Sequence, residues 1–305
     1  YLKSIEIYKG ELEKINKNDK ELCGYMQNTI GYTYKLLCED NTQQKETDIQ
    51  KENKWYHKLW KNIVRYCIKG EGITTTKDTE NSIEDWKRQA ETYLKKSVEN
   101  NPKGRYHQNL GAYYATIRDY DKALEQYKLA FNAEKRDDKI YNLIGSVLLY
   151  RAEMKLGISE RFQKGIVLSE ITLDKIDEEE RLNIQNDIKQ AYEWLNLAIK
   201  QVNPIINAYY NYSKACIYDS LFLGGGSQKM SEADKYLNTV EIIWNMNHSE
   251  KPKGYLYTRR NYWEANKEYD KALEINQVIM KVDNSGDAKT AERVYDSKKR
   301  NKNNV

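Results

Sequence analysis

The chain has 305 residues, and its 50 Lys or Arg and 46 Asp or Glu leave a formal net charge of +4. Hydrophobic residues make up 39% and the mean hydropathy is -0.92. The sequence contains no run of about 18 apolar residues, the length needed to cross a bilayer. With only 3 Pro and 15 Gly, this composition excludes a membrane-spanning protein and favours an all-helical chain with a thin core, as in a two-layer solenoid.

The first 81 residues predict an irregular helical segment. Apolar residues recur at helical spacing over 1–17, 19–39 and 55–69, which predicts a helix in each range. The polar ranges 40–54 and 70–81 read as linkers between these helices and the rest of the chain.

One short stretch occurs almost twice further along the chain. It reads Asp-Tyr-Asp-Lys-Ala-Leu-Glu at 119–125 and Glu-Tyr-Asp-Lys-Ala-Leu-Glu at 268–274. Such a repeated sequence is typical of a protein in which one helical unit stacks on copies of itself, because a single unit cannot bury its own apolar face.

The first copy lies inside a longer pattern of small and apolar residues. The pattern is His107-x2-Leu110-Gly111-x2-Tyr114, followed by Ala123-x3-Tyr127-x2-Ala130. It resembles the tetratricopeptide repeat family, whose helix-turn-helix unit carries Trp-x2-Leu-Gly-x2-Tyr and then Ala and an aromatic residue. Gly111 and Ala123 are small where two helices have to cross closely.

Weaker units repeat the same features over residues 82–282. Second helices are indicated by Ala90-x3-Leu94, Ala191-x3-Leu195-x2-Ala198 and Ala233-x3-Leu237-x2-Val240, and first helices by Tyr141-x2-Ile144-Gly145-x2-Leu148 and Tyr209-x2-Tyr212-Ser213-x2-Cys216. The expected fold is all-α, a right-handed α-solenoid of stacked helical hairpins. An apolar insertion at about 158–176 is predicted to be a further helix, and 283–305 to be a basic helix or tail.

The last unit departs from the pattern. Arg259 and Arg260 replace the small Leu-Gly pair, between Leu256 and Trp263. Guanidinium groups do not fit a tight helix crossing. Either the first helix of this unit is rotated relative to the others, or it is a terminal unit whose neighbour is missing or different.

Tyrosine is unusually abundant, with 26 Tyr against 3 Phe. In a thin solenoid, Tyr can bury its ring while its hydroxyl stays hydrogen-bonded. Tyr is also enriched at binding surfaces. Both explanations, packing and a Tyr-lined recognition groove, are compatible with the sequence.

The residues with reactive side chains form no recognisable catalytic or metal site. Cys23, Cys38, Cys67 and Cys216 have no CxxC spacing, and His57, His107 and His248 have no partner at ligand spacing. We therefore expect a protein that is not an enzyme and needs no cofactor or metal. The cysteines read as small buried residues in a reducing compartment, so a cytoplasmic location is expected.

The resemblance implies that a peptide or partner protein binds in a concave groove lined by first helices. The groove positions of this sequence are Arg105, Gln108, Asn109, Ala112, Lys139, Asn142, Ser146, Asn207, Asn211 and Lys214. Asn is suited to this role because its amide both donates and accepts hydrogen bonds. Chaperone-binding members hold a carboxylate with Lys and Asn, but Gln108 and Ala112 occupy those positions here, which disfavours a cochaperone.

Two other functions remain open. The chain could be the sensor or regulatory module of a larger bacterial signalling or defence protein, with its effector domain upstream of Tyr1. It could also be a nucleic-acid-binding helical array, since basic residues are frequent from Arg259 to Lys302. Acidic residues are interspersed among them, so nucleic acid is the less favoured partner. The sequence does not indicate the oligomeric state.

Overall fold

The computed structural model describes residues 1–15, 19–44, 83–134, 138–202, 204–247, 251–283 and 286–303, and no strand occurs in these ranges. The α-helices are α1 (Leu2–Lys14), α2 (Lys20–Gln44), α3 (Ile83–Asn100), α4 (Gly104–Thr116), α5 (Tyr120–Ala133), α6 (Asp138–Lys155), α7 (Glu178–Ile199), α8 (Ile206–Phe222), α9 (Gly226–Asn247), α10 (Lys253–Ala265), α11 (Tyr269–Val282) and α12 (Gly286–Asn303). The predicted all-α class is confirmed.

The helices pack as a row of hairpins. α2 packs on α3, α4 on α5, α6 on α7, α8 on α9 and α10 on α11. We call α2, α4, α6, α8 and α10 the first helices, and their partners the second helices. The second helices α3, α5, α7 and α9 also contact the first helix of the next hairpin. At the two ends, α1 packs on α2 and α12 packs on α11. This order confirms the predicted α-solenoid.

Small residues let the two helices of a hairpin approach each other. A Cβ atom added to Gly111 would lie 2.7 Å from Cδ1 of Tyr127, and one added to Gly145 would lie 2.5 Å from Cγ of Leu195. Real Cβ atoms do not come this close to other side chains, so the second helix fills the space that glycine leaves on the first.

The two copies of the repeated sequence are preceded by turns with the same geometry. Arg118 and Lys267 occupy equivalent positions and have φ angles of 64° and 60°. In both turns the next residue donates its backbone N–H back to the first helix at 2.9 Å, from Asp119 to Tyr114 O and from Glu268 to Trp263 O. The two hairpins therefore share their turn geometry as well as their sequence.

The first hairpin begins earlier than the repeat pattern predicts. α2 carries Ile30-Gly31-x2-Tyr34, and a Cβ on Gly31 would lie 2.6 Å from Cγ of Leu94 on α3. α2 and α3 therefore pack like the other hairpins, although the predicted division at residues 81 and 82 separates them. That division and the one at 282 and 283 stay predictions, and the helix predicted over 55–69 lies outside the described residues.

The last hairpin accommodates Arg260 by exchanging large and small residues between its helices. Aligning Tyr120 with Tyr269 pairs Gly111 with Arg260 and Tyr127 with Asn276. The shorter Asn276 leaves room for the buried Arg260 side chain, whose Nη1 donates to Asn276 Oδ1 at 2.9 Å. A second bond, at 3.3 Å, joins Arg260 Nη2 to Asp287 Oδ2 on α12. The guanidinium thus fits the crossing because its neighbour is smaller and polar.

The prediction that the insertion at 158–176 forms a helix is wrong. It contains two short 3-10 turns, Ile158–Glu160 and Leu168–Glu170. Gly157 and Gly165 have φ angles of 62° and 68°, which interrupt a right-handed helix. Phe162 and Val167 instead pack with Ala272 of α11 and Tyr295 of α12, and Leu168 is part of the main core.

Replacing Gly111 with Leu is expected to destabilise the chain by about 1 to 3 kcal/mol, because the new side chain would overpack the contact with Tyr127. Gly10 on α1 is a matched control, since nothing lies within 4 Å of a Cβ built there. Urea unfolding followed by circular dichroism would measure both variants. Equal stability of Gly111→Leu and Gly10→Leu would contradict the close crossing.

Candidate partner-binding site

The ten residues predicted to line a groove all lie on first helices, but they differ in exposure. The residues on α4 are Arg105, Gln108, Asn109 and Ala112. Those on α6 are Lys139, Asn142 and Ser146, and those on α8 are Asn207, Asn211 and Lys214. Arg105, Lys139 and Asn207 are exposed, while Asn142, Ser146 and Asn211 are buried. The other four are half-buried. Their role in binding stays a prediction.

The predicted asparagines join neighbouring first helices to each other. Asn109 Nδ2 donates to Asn28 Oδ1 on α2 at 2.9 Å. Asn211 Nδ2 on α8 donates to two acceptors on α6, Asn142 Oδ1 at 3.0 Å and Ser146 Oγ at 2.9 Å. Buried amides need such partners. Alanine at these positions would therefore alter helix packing as well as any binding, which makes them unsuitable as probes of binding alone.

Lys214 is also engaged within the protein. Its Nζ lies 2.9 Å from Oε1 of Glu153 on α6 and 5.2 Å from the centre of the Tyr150 ring. The same Glu153 oxygen accepts the Tyr218 hydroxyl at 2.5 Å. Burial lowers the pKa of the Lys214 ammonium, but the Glu153 carboxylate outweighs burial and raises it. Lys214 therefore stays charged and its charge is balanced by Glu153.

An open cleft lies where α2 and α4 begin. We call it the α2–α4 cleft; its volume is about 390 Å³ and its lining residues are Asp19, Glu21, Leu22, Tyr25, Lys103, Arg105 and Tyr106. Leu22 and Tyr25 are 43% and 48% exposed. The Arg105 guanidinium lies 5.9 Å from the centre of the Tyr106 ring, and Lys103 pairs with Glu21. The cleft thus combines apolar surface with both cationic and anionic side chains.

Many of the described tyrosines serve packing, because their rings are buried. Several tyrosine hydroxyls donate to carboxylates or carbonyls, for example Tyr114 to Glu91 at 3.0 Å and Tyr113 to Lys87 O at 2.8 Å. Tyr25, Tyr32 and Tyr150 are different, with 48%, 37% and 40% of their surface exposed, and they lie on the first helices α2 and α6. Both explanations for the tyrosine content therefore have examples in the structure.

No reactive cluster is found in the part of the chain that the structure describes. No group of three or more His, Cys, Asp or Glu side chains could hold a metal ion there. His107 is buried and its Nδ1 lies 2.9 Å from Gln126 Oε1, while His57, His248 and Cys67 lie outside the described residues. Burial raises the pKa of the Cys38 thiol to about 11, which disfavours the reactive thiolate.

Basic residues near the end of the chain are partly neutralised by acids. Arg259 Nη1 lies 2.6 Å from Asp234 Oδ1, and Lys298 Nζ lies 2.6 Å from Glu170 Oε1. Lys299 pairs with Asp270.

Among the described residues, no helix has the length and apolarity needed to cross a bilayer.

Comparisons with known proteins give likenesses of fold. No family model matches the chain, and no curated protein does so either. Among solved structures, the chain is similar to a tetratricopeptide repeat protein from Parabacteroides merdae, with 12% identity and a TM-score of 0.41, covering 96% of this chain and 91% of that one.

Two further solved structures are similar over shorter ranges. PilF of Pseudomonas aeruginosa has 15% identity and a TM-score of 0.28, covering 69% of this chain and 89% of that one. A chain from a complex of Naa15 and Naa10 bound to HypK has 14% identity and a TM-score of 0.24. The similarity covers 68% of the present chain and 31% of the chain from that complex. The stacked hairpins make this chain a helical repeat protein, and its repeated sequence pattern resembles that of the tetratricopeptide repeat family.

Proposed function

We propose that the chain is a non-catalytic interaction scaffold that binds a segment of a partner protein across its first helices, beginning at the α2–α4 cleft. The observation that carries this proposal is the cleft itself, in which Leu22 and Tyr25 expose apolar surface beside the guanidinium of Arg105. Tyr and Arg contribute most to the binding energy of protein interfaces, since each combines a large contact area with a polar group.

We propose that the neighbouring first helices extend the cleft into a longer surface. α2 contacts α4, α6 contacts α8 and α8 contacts α10. Tyr32 on α2 and Tyr150 on α6 expose further aromatic surface. An extended segment bound along this row would meet aromatic rings at intervals. The buried thiols of Cys23, Cys38 and Cys216 fit a reducing compartment, so we propose a cytoplasmic location for this scaffold.

Charge reversal in the cleft is expected to abolish most peptide binding. Peptides selected from a random library on the immobilised chain would be tested by fluorescence anisotropy against Arg105→Glu and Tyr25→Ser. Loss of an Arg or Tyr anchor costs about 2 kcal/mol or more, so affinity should fall by roughly thirtyfold.

Matched controls lie on the second helix α5, where Lys128 and Leu129 are both exposed. Lys128→Glu and Leu129→Ser change charge and apolar surface in the same way, away from the first helices. Selected peptides that bind all four variants as well as the original chain would show that the cleft is not the binding site.

A further inference from the structure

The insertion at 158–176 is larger than its hairpin requires. The loops of three other hairpins, 117–119, 223–225 and 266–268, have three residues each, whereas residues 156–177 separate α6 from α7. The insertion contacts α6 of its own hairpin through the turn Ile158–Glu160, and it also reaches α10 through the turn Leu168–Glu170. Closing the α6–α7 hairpin therefore does not explain its presence.

The insertion is anchored by an arginine. Arg161 is buried, and its Nη2 donates to Asn261 Oδ1 at 2.9 Å and to Glu264 Oε2 at 3.2 Å. Its Nη1 donates to the carbonyl of Ile158 at 2.8 Å. Glu264 also accepts the backbone N–H of Leu168 at 2.5 Å. One carboxylate on α10 thus holds two points of the insertion.

Apolar side chains of the insertion fill the space between α10 and α12. Phe162 is buried with its ring edge-on to Tyr295 of α12, at 5.7 Å between ring centres, and 4.8 Å from the Arg260 guanidinium. Val167 and Leu168 are buried as well, whereas Gln163, Lys164 and Gly165 between the anchors are exposed. The insertion is therefore held at two points with a solvated bend between them, as a bound peptide is.

The anchor site is in register with the predicted groove. The alignment of Tyr120 with Tyr269 pairs Ala112 of α4 with Asn261 of α10, and Ala112 is one of the residues expected to face a partner. On α10 this position is taken by Arg161 of the same chain.

We propose that the face formed by α10 and α12 is a second peptide-binding site, which recognises an Arg-Phe segment and is occupied by residues 158–170 of the chain itself. This occupant closes the C-terminal part of the first-helix surface, so an external partner is confined to the part nearer α2. The arginine is recognised by Asn261 and Glu264, and the aromatic ring by Tyr295 and Arg260.

The test removes the insertion from the chain and adds it back as a separate peptide. Residues 158–176 are replaced by a short Gly-Ser linker, and a fluorescein-labelled peptide of residues 157–171 is titrated into this variant and into the intact chain. We expect saturable binding to the linker variant, at least about tenfold tighter than to the intact chain. A peptide with Arg161→Ala and Phe162→Ala should bind at least about tenfold more weakly. Equal binding to both chains, or no binding to a folded linker variant, would overturn the proposal.

A second measurement applies if the linker variant does not fold. Hydrogen exchange of the full-length chain is compared between Glu264→Gln and the control Glu160→Gln, whose carboxylate is exposed and lies 3.6 Å from Lys164. We expect Glu264→Gln to speed exchange across 158–170 while α10 and α12 stay protected. Exchange that rises together in the insertion, α10 and α12 would make the insertion part of the core and overturn the proposal. Neither readout depends on binding at the α2–α4 cleft, so failure here leaves the proposed function standing.

Discussion

Replacing Glu264 with alanine is expected to destabilise the chain by about 3 to 5 kcal/mol, since the variant leaves a buried arginine without its counter-charge. Glu264 is 0% exposed and Arg161 is 5% exposed. The carboxylate also accepts the Tyr295 hydroxyl at 3.0 Å and the Leu168 N–H at 2.5 Å. Burial lowers the pKa of the Arg161 guanidinium, but the charge of Glu264 outweighs burial and raises it, so the arginine stays charged.

The exposed pair Glu160 and Lys164 provides the control for this substitution. Its side chains are 63% and 61% exposed, and exposed ion pairs contribute about 0 to 1 kcal/mol. Denaturant unfolding of Glu264→Ala and Glu160→Ala would give the two free energies. A Glu264→Ala variant as stable as Glu160→Ala would show that the insertion is not anchored as described.

Replacing Asn276 with tyrosine is expected to cost about 3 kcal/mol, because the ring would occupy the space of the Arg260 guanidinium. The substitution also removes the hydrogen bond from Asn276 Nδ2 to the carbonyl of Ala288, which measures 2.7 Å. Thermal unfolding monitored by circular dichroism would measure the loss.

The double variant Arg260→Gly with Asn276→Tyr separates overpacking from general damage. It recreates in the last hairpin the pair that Gly111 and Tyr127 form in the α4–α5 hairpin. We expect it to be more stable than the sum of the two single changes by about 1 to 3 kcal/mol, since residues in contact couple by this amount. Additive effects would contradict the exchange of large and small residues.

The sequence predicts the repeats well where local rules decide the structure. Gly111 and Tyr127 have the spacing that a close helix crossing needs, and the structure places them in contact. The sequence does not predict the first hairpin, although Ile30-Gly31-x2-Tyr34 repeats the pattern of Leu110-Gly111-x2-Tyr114. Its second helix begins at Ile83, outside the regular spacing of the repeats.

Long-range contacts explain what the sequence could not predict. The insertion is apolar because Phe162 and Val167 pack with Ala272 and Tyr295, which lie far along the chain. Its apolar pattern therefore reflects a distant surface and not helical periodicity. The sequence spacing predicts the helices that carry Asn142 and Asn211. Whether these two amides face a partner or each other depends on how each helix is rotated about its axis, and in the structure they bond to each other.

Photo-crosslinking tests most directly whether a partner segment binds at the α2–α4 cleft. A benzoyl-phenylalanine is placed at Tyr25 in one variant and at the exposed Leu129 of α5 in another, and each is irradiated with a peptide selected on the original chain. The account predicts a crosslinked product at position 25 that excess unlabelled peptide abolishes, and none at position 129. Crosslinking at position 129 without crosslinking at position 25 would contradict it.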